Sequence, residues 1–463
     1  METSTMEVSI METSTTETLL NQPPVSQSSA LQSPKANGKL DKACESTNNV
    51  PDTDSSISQP HDHVALGSDL WSGADYYSAN TKLNIQARKF FDAVNWQALA
   101  LIATGCRDGI RCSYVDSDGF SVGQFNMVRR LDFVDGVRWV ARIRLPPEAT
   151  SIPLERYDSP RAFEIEIASM KFFKSKSTIP VPDVFAYDHD PSNQVGAPYM
   201  LIEYIHGSAA DDLRSIKKCE NFGTPEQDYK FRQQMAKIQA QVLMFQFSKI
   251  GSLYYDGDTE NFYIGPDVDT GKGPWTSSAD YYRDLADVLM KVAAARYHRN
   301  PEDNTYFCAP VLLNHLMSIH SKGSDGPYNL INRDFGAHNI LVDNEFNIVG
   351  VIDLDGVFAA PPEAAAQYPR FSGLQVEPPG ITVTNPYALE RIESTKPQLA
   401  QYKELLMKYE AELGNGNATI SSLLGSRGAL IHYGFEDCGG LVGFQNKVWF
   451  QSALAMLREY VEA

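Results

Sequence analysis

The sequence predicts an α+β protein of two lobes behind a disordered N-terminal tail, and three observations predict it. Between Tyr114 and Gly207 strand patterns enclose one helical pattern. After Gly207 the patterns are mostly helical. Within that second half, one pair of short aliphatic runs, "LINRDFGAHNILVD" at 330–343 and "VGVIDLDGV" at 349–357, carries an unusual density of Asp and Asn. A chain of 463 residues exceeds what one core usually serves, so two lobes are expected. The divisions are a tail over 1–75, a strand-rich lobe over 80–205 and a helical lobe over 206–463.

The tail is rich in Ser, Thr, Gln, Asn and Pro and poor in aromatics, too little apolar surface to offset chain entropy. It contains a short duplication, "METST" at 1 and again at 11. Its "HDH" at 61–63 is a pair of histidines with no partner in sequence and is read as bland. Order is expected to begin near Leu70–Ser78. "LNIQARKFFDAVNWQALALIATG" at 83–105 reads as one helix. "FSVGQFNMVRRLDF" and "VRWVARIRLP" alternate around the turn "VDG" at 134–136, which predicts a hairpin. "SPRAFEIEIASMKFFKSK" reads as a helix with Phe163, Ile167 and Met170 on one face. "PYMLIEYIHG" reads as a buried strand ending in a glycine turn.

In the second half, Thr224, Pro225 and Gln227 predict a capped helix start: a hydroxyl at the N-cap, proline at N1 and a carboxamide at N3. Further helices are expected over 277–296, 390–413 and 444–461, with the strand pair at 330–357 alone among them.

Composition excludes some functions. A net charge of −18 and a pI near 4.9 argue against nucleic acid or an anionic membrane surface as partner. Phosphate, if handled, is handled locally, by a bound cation or a few placed donors. The longest apolar window, "WQALALIATG", is too short to span a bilayer. No secretory signal is visible, and Glu2, Glu7, Glu12 and Glu17 are unlike a mitochondrial presequence. The six cysteines are scattered without metal-ligand spacing, as in a cytoplasmic protein with reduced thiols.

The strand pair places Asp334, then Asn339 five residues later, then Asp353 after "VGVI". Phosphoryl transfer uses such a set: one carboxylate to align the attacking hydroxyl, a carboxamide and a second carboxylate to hold Mg²⁺, a hard ion that prefers oxygen. Apolar neighbours bury the strands and leave the polar residues at their ends. D-x-x-x-x-N alone is a common accident. Its weight rises because other parts precede it in order: a glycine turn "SVGQFN", a strand with cations "WVARIR", a helix with acids "FEIEIASM", and a strand running into a linker, "MLIEYIHG". No Ser–His–Asp or Cys–His arrangement supports hydrolysis.

On these stretches, together with "EIASMKFF…IPVPDVFAYD" and "FQFSKIGSLYYD", residues 85–460 resemble the aminoglycoside phosphotransferase and choline kinase-like family, fungal-type members above all. The resemblance implies a bilobal protein-kinase-like fold and an ATP- and Mg²⁺-dependent phosphotransferase acting on a hydroxyl of a small molecule, with no protein partner implied. It implies Asp334 as catalytic base, Asn339 and Asp353 as Mg²⁺ ligands, and Arg142 as the strand cation paired with Glu166. It implies the backbone of Glu203–Ile205 as the adenine hinge and the turn around Gly123 as cover for the phosphates. Asp355 matches an acid that follows the metal ligand. Two positions depart from the family pattern. Asn332 stands where a histidine is usual, and the strand cation is Arg rather than Lys. These departures define the alternative reading, a pseudokinase that binds nucleotide or serves as a scaffold without turnover. Transfer to protein side chains is disfavoured, because "APPE" at 360–363 follows Asp353 too closely to end an activation segment.

Overall fold

The computed structural model describes residues 64–113, 119–146, 161–297, 305–321, 325–374, 386–414 and 419–440, apart from positions 72 and 124, together with isolated positions 376, 455 and 458. The helix expected over 444–461 and the "HDH" motif lie outside the described residues.

The first lobe is built on a mixed-length antiparallel sheet. Its strands are β1 (Cys112–Ser113), β2 (Phe120–Val122), β3 (Asn126–Phe133), β4 (Arg138–Arg144), β5 (Val184–Asp188) and β6 (Tyr199–Glu203). The order is β1-β3-β4-β6-β5, with β2 also on β3. The β3–β4 hairpin closes at the predicted turn, where Gly136 has a φ of 85° that favours glycine. Strand alternation buries Met127, Leu131, Ala141 and Ile143 on one face.

The helix expected over 83–105 is two, α1 (Lys82–Ala93) and α2 (Trp96–Gly105). Asn95 divides them: its side chain accepts from Ala98 N–H at 3.1 Å as the N-cap of α2 and donates to Gln194 O at 3.2 Å. Helix α3 (Arg161–Lys176) buries Phe163, Ile167 and Met170 as its spacing predicts.

An extended link, residues 204–207, leads into the second lobe. Its elements are β7 (Ser208–Ala209), α4 (Ala210–Ile216), α5 (Pro225–Leu243), β8 (Gln246–Phe247), β9 (Gly251–Asp256), β10 (Asn261–Gly265), α6 (Ser278–Tyr297), α7 (Thr305–His320), β11 (Tyr328–Asn332), β12 (Ile340–Val342), β13 (Ile348–Val351), β14 (Val357–Ala360), α8 (Pro362–Ala365), α9 (Pro386–Leu413), α10 (Ile420–Leu423) and α11 (Arg427–Gly440). Both arms of the capping box at Thr224 and Gln227 are formed. This is the bilobal protein-kinase-like arrangement.

Two expectations are corrected. The strand pair is not alone. β11 and β14 lie inside a five-stranded sheet, β10-β9-β14-β11-β8, and β12–β13 is extended by β7. "GSLYYD" and "NFYIG" form a hairpin whose first strand is buried on both faces, so it lacks the alternation that marks a half-exposed strand. The tail also ends earlier than residue 75. Leu66 is buried in the core of the second lobe, Gly67 N–H donates to Ser208 Oγ at 2.6 Å and Ser68 N–H to Gly207 O at 3.0 Å. A few residues on, Ala74 is buried in the first lobe's core and its carbonyl accepts from Asn84 Nδ2 at 2.8 Å. Averaged over seventy-five polar positions, the apolar anchors Leu66 and Ala74 carry no compositional signal.

Candidate active site

Tertiary pairing brings the site together from five elements. β11 ends at Asn332, and the loop that follows carries Asp334. The backbone of this loop is closed by Phe335 N–H on Asn332 O (3.1 Å) and Arg333 N–H on Gly356 O (3.0 Å). A single 3₁₀ turn, Ala337–Asn339, feeds into β12. Arg370 braces the loop from outside: Ala337 N–H donates to its carbonyl and its own N–H to Phe335 O, both at 3.0 Å.

Asp334 is held on three sides. Its N–H donates to Asn332 Oδ1 at 3.1 Å. Its Oδ2 accepts from Asn339 Nδ2 at 3.0 Å and meets His338 Nε2 at 3.1 Å. Asn332 therefore caps the loop at the position where the family pattern led to the expectation of a histidine, and its Nδ2 also lies 3.5 Å from Asp353 O. The space is tight, since a side chain at Gly356 would meet Asn332 Oδ1 at 3.0 Å. The neighbouring Arg333 donates to Asp267 at 2.6 Å and Asp269 at 2.8 Å and stacks on Phe358.

Arg142 crosses from the first lobe. Its Nη2 lies 3.1 Å from Glu166 Oε1 and donates to Asp353 Oδ1 at 2.7 Å. The Asn126 carboxamide oxygen lies 2.8 Å from the same nitrogen, in the amide orientation that satisfies both of its atoms. Arg144, one register step on, stacks over Phe125 at 5.1 Å. The charges here do not balance: Glu166, Asp353 and Asp355 face two guanidinium groups. Burial opposes the charge on Arg142, but Glu166, Asp353 and Asp355 outweigh it and hold its pKa above the ordinary value. Glu166 is 3% exposed, and its Oε2 has no hydrogen-bond partner among the described residues. Burial pushes its carboxyl up to about 8, with Arg142 pulling down and Asp353 and Asp355 pushing further up. Burial therefore favours the neutral form of Glu166, the most enclosed of the three acids. Asp353 adopts a left-handed backbone, φ 59°, a strained conformation for a non-glycine residue.

Asn339 turns its Nδ2 to Asp334, so its carboxamide oxygen points away from that carboxylate. With Asp353 it offers an oxygen donor set. Among the described residues no cluster of three or more His, Cys, Asp or Glu forms a closed metal cage. Two protein oxygens without a cage suit a Mg²⁺ ion that shares its shell with phosphates and water.

The remaining expected positions lie around this centre. Gly123 sits at the tip of the β2–β3 hairpin, its N–H bonded to Asn126 O at 2.9 Å; Gln124 beside it lies outside the described residues. A side chain at Gly123 would stand in nearly open space, so packing does not require glycine there. Glu203 ends β6, its N–H taken by Asp183 O at 2.9 Å and its Oε2 3.1 Å from Lys174 Nζ. Ile205 lies on Gly350, where any Cβ would meet its Cδ1 at 2.9 Å. On α4, burial pushes the Asp212 carboxyl up to about 6, Asp211 adding to the rise and His338 opposing it. A cavity of about 80 Å³ lies behind the loop, lined by Asn332, Arg333, Phe335, Arg370 and Glu436 among others. Both neighbours of Asp334 line it; Asp334 does not. Sequence reasoning missed Asn126, Arg333 and His338.

The family described as phosphotransferase enzyme family matches residues 120–364, just over half of the chain and every element of this site from β2 to α8. The chain belongs to this family. Among curated relatives, a subtelomeric hrmA-associated cluster protein of Aspergillus fumigatus is 30% identical over 154 residues, 31% of this chain and 27% of that protein. The altered inheritance of mitochondria protein 9 of Meyerozyma guilliermondii is 33% identical over 117 residues, 24% of this chain and 18% of that one. The chain thus spans about a quarter or less of the length of these relatives. Among solved structures, aminoglycoside phosphotransferase APH(4)-Ia in a complex with ADP and hygromycin B is 16% identical with a TM-score of 0.41, covering 78% of this chain and 98% of that one. A structure described as a "putative fructosamine-3-kinase" from Thermobifida fusca is 15% identical with the same TM-score, covering 78% of this chain and 99% of that one.

Proposed function

We infer that this phosphotransferase moves the γ-phosphoryl group of ATP to a hydroxyl of a small molecule. The observation that carries the reading is the meeting of Asp334 and Asn339, on the loop and 3₁₀ turn between β11 and β12, with the segment of Asp353 that follows β13, where Arg142 reaches Asp353 from the other lobe at 2.7 Å. In this reading Asp334 aligns the acceptor hydroxyl and takes its proton. Asn339 and Asp353 hold Mg²⁺, which when bound neutralises charge on the phosphates. Arg142 and Arg144 receive phosphate oxygens; a guanidinium offers a planar fork there. The β2–β3 tip at Gly123 covers the phosphates, and the backbone near Glu203 and Ile205 faces the base. Rate enhancement comes from positioning and charge neutralisation rather than a covalent intermediate. The cytoplasm is the proposed compartment. Some relatives bear mitochondrial names, so fractionation of the tagged full-length protein decides between the two.

The site supports turnover over the pseudokinase reading, because the Asn332 departure costs the loop nothing visible: the cap on Asp334 N–H is made. The test is thermal. Millimolar MgATP should raise the melting temperature by mass action, and ATP with excess chelator should raise it less. Asp334→Asn should keep the MgATP shift and lose transfer by about 10²–10⁴-fold, the range of a general base. Absence of any MgATP shift would sink both readings. A shift without transfer to any acceptor, and without slow ATP hydrolysis, would leave the pseudokinase.

A further inference from the structure

His338 lies four residues after Asp334 on the 3₁₀ turn Ala337–Asn339. One ring nitrogen, Nε2, is 3.1 Å from Asp334 Oδ2. The other, Nδ1, is enclosed and has no hydrogen-bond partner among the described residues. The ring stands edge-on to Phe371, centroids 4.6 Å apart. Asn339 Nδ2 is also 3.1 Å from Nε2, but its two hydrogens have acceptors in Asp334 O and Oδ2. A carboxylate only accepts, so a hydrogen bond from the ring to Asp334 puts the proton on Nε2 and leaves Nδ1 as an acceptor. The apolar wall of Phe371 fixes the ring plane, so the N–H vector toward Asp334 is set by packing.

Asp334 needs two kinds of restraint. Its backbone is fixed by Asn332 Oδ1 at 3.1 Å, but that bond leaves the carboxylate free to rotate about its last torsion. Asn339 Nδ2 supplies one donor to Oδ2 at 3.0 Å. If Asn339 also gives its carboxamide oxygen to a metal, its rotation is shared between two tasks. His338 supplies the second donor, from a ring nitrogen that also lies 3.1 Å from Asn339 Nδ2.

We propose that His338 is the positioning residue for Asp334: its Nε2–H holds the carboxylate in the rotamer that meets the acceptor hydroxyl, while Asn332 holds the backbone. Nothing in this role needs His338 to change protonation. The inference rests on the phosphotransfer reading for its catalytic consequence, and on geometry alone for the hydrogen bond.

Two measurements test it. The first compares His338→Leu, which removes the donor, with His338→Gln, which returns an N–H₂ near the same place. The assay uses ATP, Mg²⁺ and an acceptor from a metabolite screen, or slow ATP hydrolysis. His338→Leu should lower kcat on the order of 10–10²-fold, the cost of a misplaced reacting group, with KM for ATP nearly unchanged. His338→Gln should recover most of the loss. Equal damage in both variants, an unchanged kcat, or a loss carried by KM overturns the proposal. The second needs no turnover: ¹⁵N spectra of the histidine rings at neutral pH. The His338 resonance should report the Nε2–H tautomer and should move when Asp334→Ala removes the acceptor. An Nδ1–H tautomer, or a spectrum indifferent to Asp334→Ala, overturns it. Should the wild type prove inert, the phosphotransfer reading falls while the ring spectra still decide the hydrogen bond.

Discussion

The two sides of the cleft are held in different ways. On the loop side, Asp334 is restrained by donors that are neutral or built for it: Asn332, Asn339 and His338, with the backbone braced by Arg370 and Gly356. On the phosphate side, charges hold one another. Arg142 gathers Glu166, Asp353 and the Asn126 carboxamide on one nitrogen, and a third acid, Asp355, adds to the field. The loop side is complete as it stands. On the phosphate side a protein cation sits on the carboxylate proposed to hold the metal, so in the proposed reading MgATP would exchange one set of ionic contacts for another. The difference teaches where ligand binding would act under that reading: on the charges around Arg142, with the Asp334 carboxylate left as it stands.

The strongest way to break this comparison is to remove one partner from each side. Arg142→Ala takes the shared cation from buried Glu166 and from Asp353, which should cost on the order of a few kcal/mol, below the full penalty for stranding a buried charge because Asp353 reaches solvent. Asp334→Ala removes a side chain 31% exposed to solvent, where water can satisfy the donors left behind, and should cost far less. Urea denaturation without nucleotide measures both. Equal losses would show that the two sides are not differently built. Arg142→Ala should also abolish the MgATP melting shift, which Asp334→Ala should not.

A smaller effect is expected at Asn332. If the loop lacked its orienting histidine, Asn332→His would raise turnover. The structure predicts the reverse. The new ring must share the space against Gly356 and loses the Oδ1 cap on Asp334 N–H, a hydrogen bond worth about 1 kcal/mol. Turnover should fall several-fold, read as kcat with the acceptor saturating. A clear gain would restore the pseudokinase argument and weaken the role given to His338.

Much of this site was legible before the structure. Asp334, Asn339 and Asp353 stand at the ends of β-branched runs, where a strand must stop and a polar group must face water or a ligand. Arg142 and Glu166 were legible as a cation and an acid on elements that pack together. His338 was not. Its partnership with Asp334 comes from one 3₁₀ turn, and "FGAHN" has no period from which to infer it. Asn126 was overlooked because Gly123 drew the reading of that turn, although the register sets Asn126 opposite Arg144 and one strand from Arg142. Strands β9 and β10 were hidden for a different reason: a strand covered on both faces has no alternation. Leu66 was lost to averaging with the polar residues around it.

The finest probe of the phosphate side is the proton on Glu166. In the folded chain burial pushes its carboxyl up to about 8 from the ordinary value of 4.5. Between these values the folded state holds a proton that the unfolded state has released, so stability falls as pH rises across that window and levels above it. Glu166→Gln mimics the protonated acid and cannot ionise. Its stability should therefore lack this slope: near wild type at pH 5, and above wild type at pH 9 by an amount on the order of a few kcal/mol at most. Other groups titrate in the same range, so the quantity to follow is the difference between the two proteins, measured by denaturation at each pH with chelator present. A difference that grows from pH 5 to pH 8 and then holds steady is the expected result. Parallel curves would mean that Glu166 is ionised throughout, fully satisfied by Arg142, and that the phosphate side carries no excess charge for MgATP to relieve.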